Sequence, residues 1–320
     1  MKILVTGATG FVGKRLVWRL FDTGHAVYPV VRRDINSSEE LPGTPVKVSN
    51  IDASTDWSQV LLEMDVVVHL AARVHVMKEN AKDPLAEFRS INTSGTVQLA
   101  MQAAKAGVKR FIYISSVKVN GESTTETKPF TEDDIPAPQD AYGISKWEAE
   151  QELRRIAKAT QLEVVILRPP LVYGPQVGGN FLTMLNCISK GIPLPLGKVK
   201  NKRSMIYVGN LVEAIATCVV HPAAANKTFL LSDKEVASTP ELIKSLGEVL
   251  QKPVCMLPCP PNFLRYGASL LGKKSIADRL LNSLEINTSF INKELGWYPP
   301  YSLSNGLRET ANWYKSLAKK

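Results

Sequence analysis

Tyr142 and Lys146 stand four positions apart in "DAYGISKWEAEQEL" (140–153), a stretch with helical spacing. On a helix, positions i and i+4 share one face about a turn apart, so phenol and ammonium project into the same space. Such a pair is either surface packing or a tuned acid–base unit. Free tyrosine has a pKa of about 10 and is a poor base near neutrality, but a neighbouring cation stabilises its phenolate. A drop of about 3 units corresponds to roughly 4 kcal/mol of differential stabilisation, attainable in a water-poor site.

A second group of residues tells what the pair works beside. Gly7, Gly10 and Gly13 in "VTGATGFVG" follow the β-branched run Lys2–Thr6 and open "FVGKRLVWRLFDTGH", where Val12, Leu16 and Leu20 recur at helical spacing up to Gly24. The first glycine permits a tight turn, the second lets backbone approach a pyrophosphate, and the third allows close helix–strand packing. With the helix N-terminus contributing partial positive charge, this pattern predicts a dinucleotide site. The end of the second strand discriminates between dinucleotides, because an acid there accepts the ribose hydroxyls of NAD whereas arginine suits the 2′-phosphate of NADP. Here the chain reads "VVRRD": Val31, Arg32 and Arg33 occupy the discriminating positions, and Asp34 follows later. The expected cofactor is NADPH, with NAD the alternative.

The elements that must position these residues alternate strand and helix. "AVYPVV", "VKVSNI", "MDVVVHLAA", "RFIYISS" and "EVVILRPP" read as strands, with a helix from about Pro84 to Gly107 and a polar, proline-rich loop over 121–139. Alternation of this kind predicts an α/β fold, a Rossmann-type doubly wound parallel sheet with helices on both faces. Residues 1–169 are expected to form the dinucleotide-binding domain, its sheet completed by segments around 203–235. Residues 170–320 are expected to form mostly a smaller mixed α/β substrate-binding lobe. In that half, "GKVKNKRSMIYVGNLVEAIATCVVHP" reads as loop, short strand and helix, "KTFLLS" as a strand, and "STPELIKSLGEVL" as a helix capped at Ser238 or Thr239.

Composition narrows the function classes. With 44% hydrophobic and 22% charged residues, the 320-residue chain reads as globular, and no apolar run reaches the roughly 18–20 residues that span a bilayer. The short apolar start runs straight into glycines, so a cytoplasmic location is expected. Four scattered cysteines and four histidines fit neither a disulfide framework nor a zinc site, so no metal is expected. The net charge of +9 comes without basic runs interleaved with aromatics, which argues for small anionic ligands and a solvated surface over nucleic acid. "NFLRYGASLLGKK" (262–274) reads as a core helix of the smaller lobe, a membrane-surface role being the alternative.

With Ser115 and Ser116 closing "RFIYISS" ahead of the tyrosine, the constellation resembles the extended short-chain dehydrogenase/reductases of the sugar-nucleotide epimerase/dehydratase type. The resemblance runs through "TGATGFVG", "HLAA", "SINTSGT", "ISS", "YGISK", "LRPPLVYGP", "GNF", "RSMIYVGNL" and "LGWYP" in order. It implies that Tyr142 exchanges a proton with a sugar oxygen, Ser116 hydrogen-bonds the same oxygen, and Lys146 tunes the phenol and binds the nicotinamide ribose. It also implies cofactor contacts from Gly7, Gly10, Phe11, Val12, Gly13, Arg32, Arg33, Asn50, Ile51, Leu70, Ala71, Ala72, Asn92, Tyr142, Lys146 and Pro169. On the substrate side it implies Asn180 and Arg203 at the diphosphate of a UDP-sugar, with Arg279 a further candidate and Lys118 and His75 beside the sugar. Relatives of this kind tend to form homodimers through two helices of the large domain.

The resemblance also narrows the reaction. Dehydratases of the family carry an Asp-Glu pair just after the strand-end hydroxyl, where this chain has Val117 and Lys118. Dehydration is therefore not expected. "HLAARVHVMKE", "ISSVKVNGE" and "LRPPLVYGP" resemble the subgroup that reduces UDP-4-keto-6-deoxy-N-acetylhexosamine to UDP-N-acetylquinovosamine, a precursor of bacterial surface polysaccharide. The alternative is a UDP-glucose or UDP-N-acetylglucosamine 4-epimerase holding its NAD. A non-catalytic NADP-sensing module is the reading from a different class, disfavoured by the intact Tyr142–Lys146 pair.

Overall fold

The runs of valine and isoleucine form strands covered on both faces, as parallel sheets require. In the computed structural model, which describes residues 1–33, 41–74, 83–125 and 127–317, nine strands are found among the described residues. They are β1 (Lys2–Thr6), β2 (Ala26–Val31), β3 (Val46–Lys47), β4 (Val66–His69), β5 (Arg110–Ile114), β6 (Glu163–Arg168), β7 (Leu171–Tyr173), β8 (Met205–Tyr207) and β9 (Thr228–Leu230). Seven make one parallel sheet in the order β3-β2-β1-β4-β5-β6-β9, a doubly wound Rossmann-type arrangement. The order reverses between β1 and β4, the place where such sheets open a crevice at their carboxyl ends. The register there sets Thr6 opposite His69.

Each face of the sheet is sealed by its own apolar layer. Leu16 and Leu20 from helix Phe11–Asp22 join Leu211 and Ile215 from helix Val208–Val220 on one face. Leu99, Ala103 and Leu153 cover Phe111 and Tyr113 on the other. A third cluster lies in the later half of the chain, where Phe181, Leu185, Leu242, Leu246 and Leu307 pack around Tyr173.

Four local readings change. Only Val46–Lys47 of "VKVSNI" pairs, because β3 meets just Val30 and Val31 before Asp52 folds the chain back by accepting from the Ser54 amide. The helix expected over 84–107 is three consecutive pieces, Pro84–Phe88, a π-helical stretch Arg89–Gly95, and Thr96–Lys105. Of the segments around 203–235, β9 completes the sheet beside β6, whereas β8 pairs with β7 in a separate two-stranded ladder. Helix Pro261–Leu270, expected in the core, has no fully buried residue: Leu264 and Ala268 lean on the third cluster while the rest faces outward. The capped helix is as read, with Ser238 and Glu241 forming a reciprocal capping box.

Candidate active site

Thr6 ends β1 and delivers the chain into the turn Gly7–Gly10. Gly7 has φ +68°, a conformation costly for any residue with a Cβ, and the Gly10 amide closes the turn on the Gly7 carbonyl at 3.0 Å. A Cβ on Gly13 would stand 2.1 Å from the Gly7 oxygen, and one on Gly7 would stand 2.8 Å from the Ala71 nitrogen. Helix, turn and the loop after β4 therefore close on one another as only hydrogen side chains allow. Phe11 and Val12, half-buried, form the first helical turn and lean on the third apolar cluster. This cradle fits a dinucleotide pyrophosphate at a helix N-terminus.

Around it stand the other residues expected at the cofactor. Arg32 and Arg33 are exposed directly beyond β2, next to the buried Val31. Asp34 and His75 lie outside the described residues. Exposed Asn50 and half-buried Ile51 occupy the loop after β3, and the Ile51 carbonyl sits so close to Gly95 that a Cβ there would come within 2.9 Å. Leu70, Ala71 and Ala72 follow β4, with the Ala71 amide donating to Thr6 Oγ1 at 3.2 Å. Buried Pro169 accepts from the Val117 amide at 3.0 Å, tying the end of β6 to the turn after β5. Asn92, fully buried in the π-helical stretch, accepts from the Arg73 amide (2.8 Å) and donates to the Arg73 carbonyl (3.1 Å) and Ser145 Oγ (3.0 Å). Its amide thus acts here as a brace between the loop after β4 and helix Ala141–Ala159.

That helix carries Tyr142 and Lys146. Asp140 starts it, its Oδ1 accepting from the Gly143 amide at 2.7 Å. Lys146 is 1% exposed, with its Nζ 4.3 Å above the Tyr113 ring and 6.0 Å from the centre of the Tyr142 ring. Burial pushes its ammonium down to about 7, while Glu150 one turn further works in the opposite sense. From the sequence, Lys146 together with the nicotinamide's positive charge is expected to make the phenol more acidic. In the protein alone burial instead raises the Tyr142 phenol above its usual range, Asp140 adds to the rise, and a hydrogen bond from Ser116 opposes it. Tyr142 therefore starts as a neutral proton donor.

Lys118, expected beside the sugar, reaches the amino end of the Tyr142 helix. Its Nζ is engaged by Glu122 Oε1 at 2.9 Å and, more closely still, by Asp140 Oδ2. Its backbone amide donates to Ser116 Oγ at 3.2 Å. The lysine thus neutralises the carboxylate that caps the Tyr142 helix. Arg203 lies half-buried where its Nη1 donates to the Asn282 carbonyl at 3.3 Å. Burial lowers its pKa, Glu122 opposes this, and the charge of Arg279 lowers it further. Asn180 is exposed at the start of helix Gly179–Ser189.

Three supports were not anticipated. His69 is fully buried between Thr6 Oγ1 (2.7 Å from Nδ1) and Thr96 Oγ1 (3.0 Å from Nε2). Because the Thr96 hydroxyl donates to the Asn92 carbonyl at 2.7 Å, it can only accept from the ring, which fixes the proton on Nε2. Glu150, also fully buried, is gripped by Arg168 through two bonds of 2.9 and 2.6 Å and by Ser115 Oγ at 2.6 Å. Asp140 is the third. Its position two residues ahead of Tyr142 was a readable N-cap signal, and Glu150, four after Lys146, was a readable partner.

A glycine cradle at the switch point of a parallel sheet, with a Tyr–Lys pair on the helix between β5 and β6, defines a dinucleotide-dependent oxidoreductase type of site. Residues 3–231 match the NAD dependent epimerase/dehydratase family, and the chain belongs to that family. It is 47% identical to a UDP-glucose 4-epimerase of Vibrio cholerae over 97% of this chain and 94% of that protein. It is 30% identical to an N-acetyl-alpha-D-glucosaminyl-diphospho-ditrans,octacis-undecaprenol 4-epimerase of Escherichia coli O157:H7 over 99% of this chain and 96% of that one. Among solved structures it is similar to a UDP-glucuronic acid 4-epimerase of Bacillus cereus in complex with NAD, with a TM-score of 0.79, 23% identity and 99% of each chain covered. The last likeness speaks for the fold.

The chain is therefore a nucleotide-sugar enzyme of the NAD-dependent epimerase/dehydratase type. No helix among the described residues is long and apolar enough to cross a membrane.

Proposed function

We propose that this enzyme works at carbon 4 of a UDP-sugar, reducing a UDP-4-keto-6-deoxy-N-acetylhexosamine to UDP-N-acetylquinovosamine with NADPH as the preferred cofactor. The observation that carries the reading is the end of β2, where buried Val31 replaces the acid and Arg32 and Arg33 stand exposed immediately beyond it. Gly7, Gly10 and Gly13 would hold the pyrophosphate, Arg32 and Arg33 the 2′-phosphate, and Lys146 the nicotinamide ribose. When bound, the nicotinamide supplies hydride at carbon 4. Tyr142 gives its proton to the carbon-4 oxygen as the carbonyl becomes an alcohol, a role that suits a phenol held neutral by burial. Ser116 donates a hydrogen bond to the same oxygen, and Arg203 with Arg279 holds the diphosphate. Val117 and Lys118 supply no carboxylate for dehydration, and Lys118 Nζ is itself paired with Glu122 and Asp140. The protein acts in the cytoplasm as a homodimer.

A second reading is favoured by the 47% identical Vibrio cholerae relative: 4-epimerisation of UDP-glucose or UDP-N-acetylglucosamine with retained NAD. Incubation with NADPH and UDP-4-keto-6-deoxy-N-acetylglucosamine separates the two. Stoichiometric loss of NADPH absorbance with formation of the 4-hydroxy sugar supports reduction. Conversion of UDP-glucose or UDP-N-acetylglucosamine to its 4-epimer without added reductant would overturn it in favour of the epimerase.

A further inference from the structure

Helix Pro261–Leu270 is apolar on two sides. Leu264 and Ala268, one turn apart, cover the third core cluster. Phe263, Tyr266 and Leu270, at the i, i+3, i+7 spacing of a single helical face, are 74, 68 and 72% exposed, and Leu271 beside them is 73% exposed. Four exposed large apolar side chains gathered within residues 263–271 mark a candidate interaction site.

The charge around it says what covers it. From Val249 to Ala277 the chain has no acidic residue, yet it carries Lys252, Arg265, Lys273 and Lys274, all exposed. A second copy docked face to face would set these four cations against four more. An anionic lipid surface instead complements it, with aromatic and leucine side chains entering the headgroup layer and lysine stems reaching outward. We propose that helix Pro261–Leu270 and the turn to Lys274 form a peripheral docking face for an anionic lipid bilayer.

Docking here has a consequence for the site, whichever sugar it takes. Arg265 Nη2 donates to Asn282 Oδ1 at 2.7 Å, and Arg203 Nη1 donates to the carbonyl of the same Asn282. The outward face and the candidate diphosphate arginine thus share one anchoring residue. A docked molecule holds its substrate pocket beside the headgroup layer, suited to a sugar diphosphate drawn from, or passed to, machinery at the membrane.

The test is co-sedimentation of the full-length protein with vesicles of phosphatidylcholine alone and of equal parts phosphatidylcholine and phosphatidylglycerol, in about 0.1 M salt. The protein should pellet with the anionic vesicles only. Each lysine near an anionic surface contributes about fivefold to partitioning, so Lys273→Glu with Lys274→Glu should lower binding by at least tenfold. Phe263→Ser with Leu270→Ser should lower it as much, and because both residues are exposed the melting temperature should stay unchanged. The equal charge reversal Lys105→Glu with Lys109→Glu, at the end of helix Thr96–Lys105 and just before β5, should leave binding near wild type. Absence of binding to anionic vesicles overturns the proposal. Wild-type binding by the Phe263/Leu270 variant, or equal loss in the Lys105/Lys109 variant, reduces the effect to overall charge and also overturns it. Light scattering that shows the Phe263/Leu270 change dissociating a dimer assigns the face to a second copy and overturns it as well.

Discussion

His69 offers the sharpest test of the electrostatics beneath the cofactor cradle. It is fully buried, and burial, with a contribution from Lys146, pushes its pKa down to about 3 from the ordinary 6.5. A base whose folded pKa is lowered binds fewer protons in the folded than in the unfolded state between those two values. Stability then falls as pH drops below about 6.5 and stops falling near 3. At pH 5 the unfolded imidazole is mostly charged and the folded one neutral, a penalty of about 2 kcal/mol relative to pH 7.5, growing to about 4 kcal/mol at pH 3. His69→Gln removes the titration, whatever it does to absolute stability. Urea unfolding of both proteins at pH 7.5, 6 and 5 gives the difference in slope directly. The wild type should lose about 2 kcal/mol more than the variant between pH 7.5 and 5. Parallel losses in the two proteins would refute the neutral, doubly hydrogen-bonded ring and with it the tautomer assigned through Thr96.

Tyr142→Phe keeps the ring and removes the proton donor, so turnover should fall by about two to four orders of magnitude with cofactor affinity little changed, as steady-state kinetics and fluorescence titration would show. Replacing Arg32 and Arg33 together by alanine should weaken NADPH at least tenfold, since charge-assisted contacts are worth roughly 1.5–3 kcal/mol each, and leave NADH nearly unchanged; equal wild-type affinity for the two would count against the assignment. Arg168→Met strips Glu150 of its bidentate partner in a fully buried position and should cost about 3–5 kcal/mol in chemical denaturation; a loss below 1 kcal/mol, roughly the value of a surface pair, would show that Arg154 and Ser115 suffice.

The sequence by itself determined the parts of this protein that depend on local spacing. Three glycines where a β-branched run turns into an amphipathic helix can do little else, because turn, close approach and packing each exclude a Cβ, and the 2.1 Å clash at Gly13 is the same constraint seen in three dimensions. The i, i+4 pairing of Tyr142 with Lys146 follows from helix geometry alone. The strand–helix alternation dictated a parallel sheet for the same reason.

Tertiary structure decided whatever depends on partners far along the chain. Whether β8 or β9 joins the sheet turns on which edge lies free beside β6, and both read alike as short apolar strands. Helix Pro261–Leu270 looked like core because its residues are apolar, but it packs on one side only, and composition does not say how many neighbours a helix has. The state of Tyr142 likewise escapes spacing. A lysine one turn away lowers a phenol's pKa in water, but here the fold removes the water from both groups, and burial is the largest influence on each. Lys118, expected beside the sugar, pairs with Glu122 and Asp140, 4 and 22 residues away, and only the folded chain shows that it reaches the cap of the Tyr142 helix.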